Sequence, residues 1–207
     1  MICTLCGGET SYFESARNRD YYSCGGCAAV LLHPRHYLSI DDERRRYLAH
    51  TNDIEDRGYR DFVSPMLTAV RAQFTASHTG LDFGSGASGI ITALLREHGY
   101  SVTPYDPLFR NDSAALTRKY DYIACCEAVE HFRTPAEEFR LLASLLKPGG
   151  ALFIMTACFT DTPLAQWHYA SDTTHLFFYR AETFAWIQSH FGFSSLSVEG
   201  RLIILKK

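Results

Sequence analysis

The chain has 207 residues, 46% of them hydrophobic, enough for one domain of ordinary size with its own core and a small appendage. A formal charge of −3 leaves out the strong basic excess of a general nucleic-acid binder. No apolar run approaches the roughly 18 residues that span a bilayer, and no charged-then-apolar leader opens the sequence, so no membrane partner is expected and the cytoplasm is the expected location.

In such a compartment the seven cysteines argue for metal binding or burial rather than disulfides. Four of them form two CxxC knuckles, Cys3 with Cys6 and Cys24 with Cys27, with seventeen residues between the pairs. Each knuckle offers two thiolates to one tetrahedral ion, so residues 1–38 are expected to be a zinc ribbon holding structural zinc. The segments Ser11–Phe13 and Tyr21–Ser23 suit a small hairpin between the knuckles.

Residues 39–77 turn polar and then amphipathic. Asp41 to Glu43 nearly cancel Arg44 to Arg46, a run that suits either phosphate contact or a solvated helix face. The connector continues through His50, Asn52 and Asp53. Phe62, Met66, Leu67, Val70 and Phe74 then recur at three- and four-residue steps, so a helix is expected to pack on the core.

Leu81-Asp82-Phe83-Gly84-Ser85-Gly86-Ala87-Ser88-Gly89 reads as a buried strand, a glycine turn and a helix start. The glycine spacing suits a nucleotide ligand approaching the backbone closely. A dinucleotide turn receives a pyrophosphate, which the carboxylate of Asp82 would repel. S-adenosylmethionine (SAM) instead brings an ammonium and a sulfonium, which that carboxylate attracts. LDFGSGASG resembles the first motif of the class I SAM-dependent methyltransferases, and the resemblance implies a donor pocket at Asp82, Gly84, Ser85 and Gly86, with Asp106, Pro107 and Glu127 the further donor-binding candidates.

A helix is expected from Gly89 to His98, ended by Gly99, followed by a strand from Tyr100 to Asp106. Asp106, twenty-two residues past Gly84, is placed to accept from ribose hydroxyls, or to serve as a turn aspartate before Pro107. Only thirteen residues separate Asp106 from Tyr120, too few for the usual helix, third strand and acidic adenine-contacting loop. The third strand should be missing or vestigial, with Pro107, Leu108 and Phe109 the nearest apolar candidates for the adenine.

Asp121 to Glu127 is the next buried strand, with Cys125 and Cys126 as core residues. If the chain turns helical there, Glu127, Glu130 and His131 share one face. This ExxEH pattern is similar to a motif of ubiquinone-pathway O-methyltransferases and small-RNA 2′-O-methyltransferases. The resemblance implies a divalent metal (Mg, Mn or Zn) at Glu127, Glu130 and His131 with a later histidine, here His175 or else His168. In metal-free relatives the same dipeptide orders the loop beneath the sulfonium.

Thr134-Pro135 opens a helix whose buried stripe is Phe139, Leu141, Leu142, Leu145 and Leu146, and LLKPGG turns it into a strand over Ala151 to Thr156. Gln166 to Tyr179 is rich in aromatic and ionisable residues and leaves the carboxyl end of that strand, so it is expected to wall the acceptor. His131, His168, Asp172 and His175 are the candidates for proton transfer. A helix over Ala181 to His190 and a hairpin of Phe193–Val198 with Leu202–Leu205 close the chain.

The expected architecture is α/β: a Rossmann-like class I methyltransferase sheet over residues 78–207, with its third strand shortened or missing and its C-terminal strand reversed. The helical connector and the ribbon precede it. The sequence is similar over nearly its whole length to a bacterial group of zinc-ribbon-bearing methyltransferases. That resemblance implies a methyltransferase, and the mild acidity and the aromatic loop suit methylation of oxygen or carbon of a small-molecule acceptor. Alternatives are an RNA methyltransferase that grips RNA with its ribbon, and a catalytically idle SAM-binding adaptor whose ribbon docks a partner protein.

Overall fold

The computed structural model describes residues 1–49 and 54–207; His50, Asn52 and Asp53 of the connector lie outside the described residues. No described helix is long and apolar enough to cross a membrane.

Strands β1 (Thr10–Ala16) and β2 (Arg19–Cys24) form the hairpin of the ribbon, turned by Arg17 and Asn18, both at positive φ. β3 (Val30–Leu32) adds a third antiparallel strand. Helix α1 (Ile40–Ala49) and helix α2 (Arg57–Gln73) form the connector. Asp56 caps α2 by accepting from the N–H groups of Gly58 and Tyr59. Val63, Met66 and Val70 are its fully buried stripe, one turn apart, while Phe62 and Leu67 are partly buried beside them.

The central sheet contains β4 (Thr79–Phe83), β5 (Ser101–Tyr105), β6 (Tyr120–Cys126), β7 (Leu146–Met155), β9 (Ser195–Glu199) and β10 (Leu202–Lys206). Their order is β5-β4-β6-β7-β10-β9, the first four parallel and the last two antiparallel additions. Helix α3 (Ile90–Glu97) joins α2 on one face. Helices α4 (Pro135–Leu145) and α5 (Ala181–His190) cover the other. Alternation along the middle strands feeds both layers: Ile123, Cys125, Leu152 and Ile154 point to the α4 and α5 side, while Tyr122, Ala124, Phe153 and Met155 point to the α2 and α3 side.

The third strand is absent among the described residues, and β5 is the sheet edge. Pro104 inside β5 fits that position, because a residue without an N–H is tolerated where one side of the strand needs no partner. The return from Asp106 to β6 holds one short 3-10 turn, Ser113–Thr117.

The ribbon's sheet is completed from the other end of the chain. β8 (Phe177–Phe178) pairs with β3, giving the order β1-β2-β3-β8. Cys3, Leu5, Cys24, Cys27 and Leu31 share one apolar cluster with Phe177, Tyr179 and Phe184. The ribbon therefore packs on the same core as the central sheet.

Candidate functional site

At the carboxyl ends of β4, β5 and β6 lies a cavity of about 760 Å³, inside the roughly 300–1,000 Å³ usual for clefts that hold a small ligand. Asp82, Gly84, Ser85, Gly86, Asp106, Pro107 and Glu127 all line it. The glycine turn explains why. Gly84 has φ +79°, and a Cβ there would sit 2.5 Å from the Ala128 Cβ, so only glycine fits between strand and loop. At Gly86, φ +62°, a Cβ would meet no atom within 4 Å.

The turn is not a free phosphate cradle. The N–H groups of Gly84 and Ser85 donate to the Tyr105 carbonyl at 2.9 and 3.0 Å, and that of Gly86 donates to Asp106 Oδ2 at 2.9 Å. These three donors are the ones a pyrophosphate would need, so their use within the protein favours a phosphate-free nucleoside.

Asp106 combines both expected roles in one place. Its Oδ1 accepts from Leu108 and Phe109 N–H, as a turn aspartate does, while the side chain still faces the cavity. Asp82 is buried and accepts from the Thr92 N–H and hydroxyl, both at Oδ2, which ties the strand end to α3. Burial pushes its carboxyl up to about 6.

The ExxEH segment differs from the helical expectation. Glu127 has φ +48°, and only Val129–His131 form a 3-10 turn, so the three side chains do not share a helix face. Glu127 is held by Arg201, whose Nη2 donates to Oε1 and Oε2 at 2.7 and 2.6 Å, and by the Tyr169 hydroxyl at 2.5 Å. Glu130 is fully buried, with Oε1 2.8 Å from the Tyr169 hydroxyl and Oε2 accepting from Thr156 at 3.1 Å. Tyr169 has one proton to give to two carboxyl groups, so one of them must itself be protonated. Glu130 is that one: burial, followed by the charge of Glu127, pushes it up to about 8.

Glu130, His131 and His175 each place one ligand-capable atom within 4.8 Å of the others, but Glu127 is not in that group. Both histidines use Nδ1 on backbone carbonyls, His131 on Thr174 at 2.9 Å and His175 on Tyr169 at 2.8 Å. An acceptor carbonyl requires Nδ1 to carry the proton, which leaves Nε2 with its lone pair. Burial holds both rings neutral, His131 below its ordinary value and His175 down at about 3.

Of the four proton-transfer candidates, only His131 reaches the cavity wall. His168 is exposed, Asp172 pairs with Arg46 at 2.9 Å and accepts from Thr174, and His175 lies behind His131 with ring centroids 4.8 Å apart. The expected aromatic wall, Gln166 to Tyr179, does not face the cavity either. Tyr169, Leu176 and Phe178 pack with Tyr21, Val30 and Leu32 of the ribbon, which uses up the apolar surface of the loop. Helix α1 provides the wall instead through Ile40, Glu43, Tyr47 and Leu48, positions that fall on one helical face. Arg133 donates to Glu43 at 2.7 Å, and the Tyr47 ring meets His131 edge-on at 5.3 Å. The arginine run splits: Arg45 pairs with Asp42 at the surface, Arg46 with Asp172, and Arg44 lies over Phe109.

Sequence reasoning missed Glu43, Tyr47 and Arg133 on the cavity wall, and the hold of Tyr169 and Arg201 on Glu127. The α1 spacing was a usable signal. Arg201 had a topological one, because a reversed last strand begins at the carboxyl edge of the sheet, where Thr156 N–H donates to the Arg201 carbonyl.

Away from the cavity, Cys3, Cys6, Cys24 and Cys27 gather their sulfurs within 4.8 Å of one another. The Gly8 N–H points at Cys6 Sγ at 3.4 Å. A Cβ at Gly8 or Gly26 would press on that sulfur at 3.3 Å, so both glycines leave room for the cluster.

Fold and cavity together define a class I SAM-dependent methyltransferase. Residues 44–198 match the family model described as a methyltransferase domain, and the chain belongs to that family. It is similar to the ubiquinone biosynthesis O-methyltransferase of Proteus mirabilis, 33% identical over 91 residues, 44% of this chain and 37% of that protein. The protein of the same name from Marinobacter nauticus is 35% identical over 82 residues, 38% of this chain and 34% of that one. The match thus spans little more than a third of these relatives. Among solved structures, a SAM-dependent methyltransferase from Archaeoglobus fulgidus aligns with TM-score 0.56 at 18% identity, covering 72% of this chain and 94% of that one. Human N-acetylserotonin methyltransferase in complex with SAM aligns with TM-score 0.55 at 13% identity, covering 82% and 56%. At these identities the structural likeness shows the fold.

Proposed function

We propose that the protein transfers a methyl group from SAM to a hydroxyl of a small, partly apolar molecule, with His131 accepting the proton. The observation that carries this is one cavity wall holding the glycine turn, Asp106 and a neutral imidazole whose Nδ1–H is fixed on a backbone carbonyl. SAM, when bound, supplies an electrophilic methyl group on a sulfonium. The chain's part is to hold the donor with Asp82, Gly84, Ser85, Gly86, Asp106 and Pro107, to exclude water and to take a proton from the acceptor. Ile40, Leu48 and Tyr47 of α1 close the acceptor side with apolar and aromatic surface. Likeness to proteins named O-methyltransferases supports an oxygen acceptor over carbon.

The ExxEH residues fit a divalent ion poorly. Arg201 neutralises Glu127, and both Glu130 oxygens are engaged by hydroxyl groups. A cation there would have to compete with a guanidinium and a proton. We therefore read Glu127 and Glu130 as bracing for the loop that carries His131, and the transfer as independent of added Mg or Mn. The cysteine set does fit its ion, since four sulfurs with room for one centre suit zinc. Residues 1–38 would then be a structural ribbon, 39–77 the connector that walls the cavity and 78–207 the catalytic part. Pairing of β3 with β8 supports a ribbon that serves its own chain rather than RNA or a partner protein.

Calorimetric titration with SAM, S-adenosylhomocysteine and NAD, followed by labelled-methyl transfer into hydroxylated small molecules, tests the reading. NAD binding without SAM binding would sink it. With an acceptor in hand, His131→Asn is expected to lower kcat by about 10²–10⁴-fold while donor affinity holds. The rate should rise with pH and level off before neutrality, because burial keeps the imidazole below its ordinary value. Activity that depends on added Mg or Mn, with the cysteine-bound zinc intact, would restore the metal alternative.

A further inference from the structure

One polar group on the cavity wall has no partner that explains it. Among the described residues, five acidic side chains line the cavity: Glu43, Asp82, Asp106, Glu127 and Glu138. Four are engaged. Glu43 accepts from Arg133 and Tyr47, Asp82 from Thr92, Asp106 from Gly86, Leu108 and Phe109, and Glu127 from Arg201 and Tyr169. Glu138 differs: its carboxyl is hydrogen-bonded to Thr134, but its Oε2 is buried and accepts no hydrogen bond. Burial pushes the carboxyl above its ordinary range in spite of the hydrogen bonds from Thr134. A buried acceptor in a native fold calls for an account, and a ligand donor arriving through the cavity is one.

The surroundings narrow the donor. Glu138 stands in the first turn of α4, and Leu141, three residues on, lies on the same helical face. Phe132 precedes the helix and Leu108 follows Asp106, and both also line the cavity. Apolar surface with one carboxylate edge suits a flat heteroaromatic ring bearing an amino group. A third strand, the expected source of an acid for this purpose, is absent among the described residues, and one short 3-10 turn stands in its place. α4 instead brings an acid to the cavity wall through Glu138.

We propose that Glu138 accepts a hydrogen bond from the adenine amino group of SAM, with Leu108, Phe132 and Leu141 forming the apolar slot for the ring. The proposal rests on reading the cavity as a SAM site and adds the base-recognising residue to it. Glu138 is then what distinguishes adenine from a purine with a 6-oxo group, whose oxygen would face the carboxylate with lone pairs on both sides.

The test is calorimetric binding of S-adenosylhomocysteine and S-inosylhomocysteine to the full chain, with thermal unfolding as the check on folding. The wild type should prefer the adenosyl compound by on the order of tenfold or more. Glu138→Gln, whose amide also donates, should narrow the preference to less than about threefold. Glu138→Ala should lose adenosyl affinity on the order of tenfold and leave inosyl affinity unchanged. Adenosyl binding with undiminished preference in folded Glu138→Gln would overturn the proposal alone. No adenosyl binding by the wild type would overturn the SAM reading and this proposal with it.

Discussion

Proton accounting at Tyr169 decides more about the site than the motif around it. A single phenol proton lies between Glu127 and Glu130, and Arg201 donates to the same hydroxyl at 3.0 Å. The arrangement is satisfied only with Glu127 ionised against Arg201 and Glu130 neutral. This has a consequence for stability. The Glu130 carboxyl titrates at an ordinary 4.5 when unfolded and at about 8 when buried. The fold favours the protonated form, so the contribution is complete below the unfolded value and is lost as pH rises through the folded one. Stability should fall by roughly 1 kcal/mol between about pH 7 and pH 8.5. In Glu130→Gln, which keeps both hydrogen bonds without a titrating group at this position, the fall should be smaller by that amount. Urea midpoints of both proteins at the two pH values check it. The buried carboxyl of Asp82, at about 6, titrates mostly below this window, and the two depressed imidazoles act weakly in the opposite sense as their unfolded forms lose the last of their protons, so the difference between the two proteins isolates Glu130.

The elements deliver these side chains by topology rather than by proximity in sequence. β10 runs antiparallel to β7, with Leu202 opposite Met155, so Arg201 arrives at the carboxyl edge beside Glu127 although 74 residues separate them. α1 belongs to the connector, yet it turns Tyr47 toward His131 and Arg46 toward Asp172, closing the cavity on one side and bracing the aromatic loop on the other. β8 is only two residues long, but Phe178 stacks on Tyr21 of β2 at 5.6 Å and is 1% exposed. Phe178→Ala is expected to cost about 3–5 kcal/mol, the usual range for emptying a buried phenylalanine site. The same substitution should leave S-adenosylhomocysteine affinity within a factor of about three, since Phe178 lies outside the cavity lining. Urea unfolding and calorimetry on one preparation separate the two effects.

Over the whole molecule, the ribbon and the methyltransferase sheet share one core, so the cysteine site should report on distant packing. Trp167 lies 4.8 Å, centroid to centroid, from Phe178, whose partner Val30 stands three residues after Cys27. Zinc is expected at one ion per chain. Its removal should lower Tm and shift the emission of Trp167 to the red, measured in a Trp186→Phe background. Cys27→Ser, at a buried position of the cysteine cluster, should reproduce both changes without a chelator. An apoprotein with unaltered Tm and emission would mean that the ribbon folds without its ion.

Much of this was legible from residue spacing. The two knuckles, the glycine turn, the helix over Ala181–His190 and the missing third strand are local patterns or chain lengths, and local sterics and connection length do not wait for the rest of the fold. Asp106 was legible for the same reason, as a carboxylate placed at a strand end by its distance from Gly84. The wall of the cavity was not. Gln166 to Tyr179 and α1 both carried aromatic and ionisable residues, and which one faced the cavity depended on where the ribbon found its fourth strand. Composition cannot register that competition for apolar surface. Nor can a motif show whether its carboxylates are free: ExxEH reads the same with or without an arginine opposite Glu127, and only the antiparallel closure of β10 brings Arg201 there. Spacing set the class of ligand because the glycine turn is short-range, whereas the charge state and neighbours of each acid were decided by contacts between segments far apart in the chain.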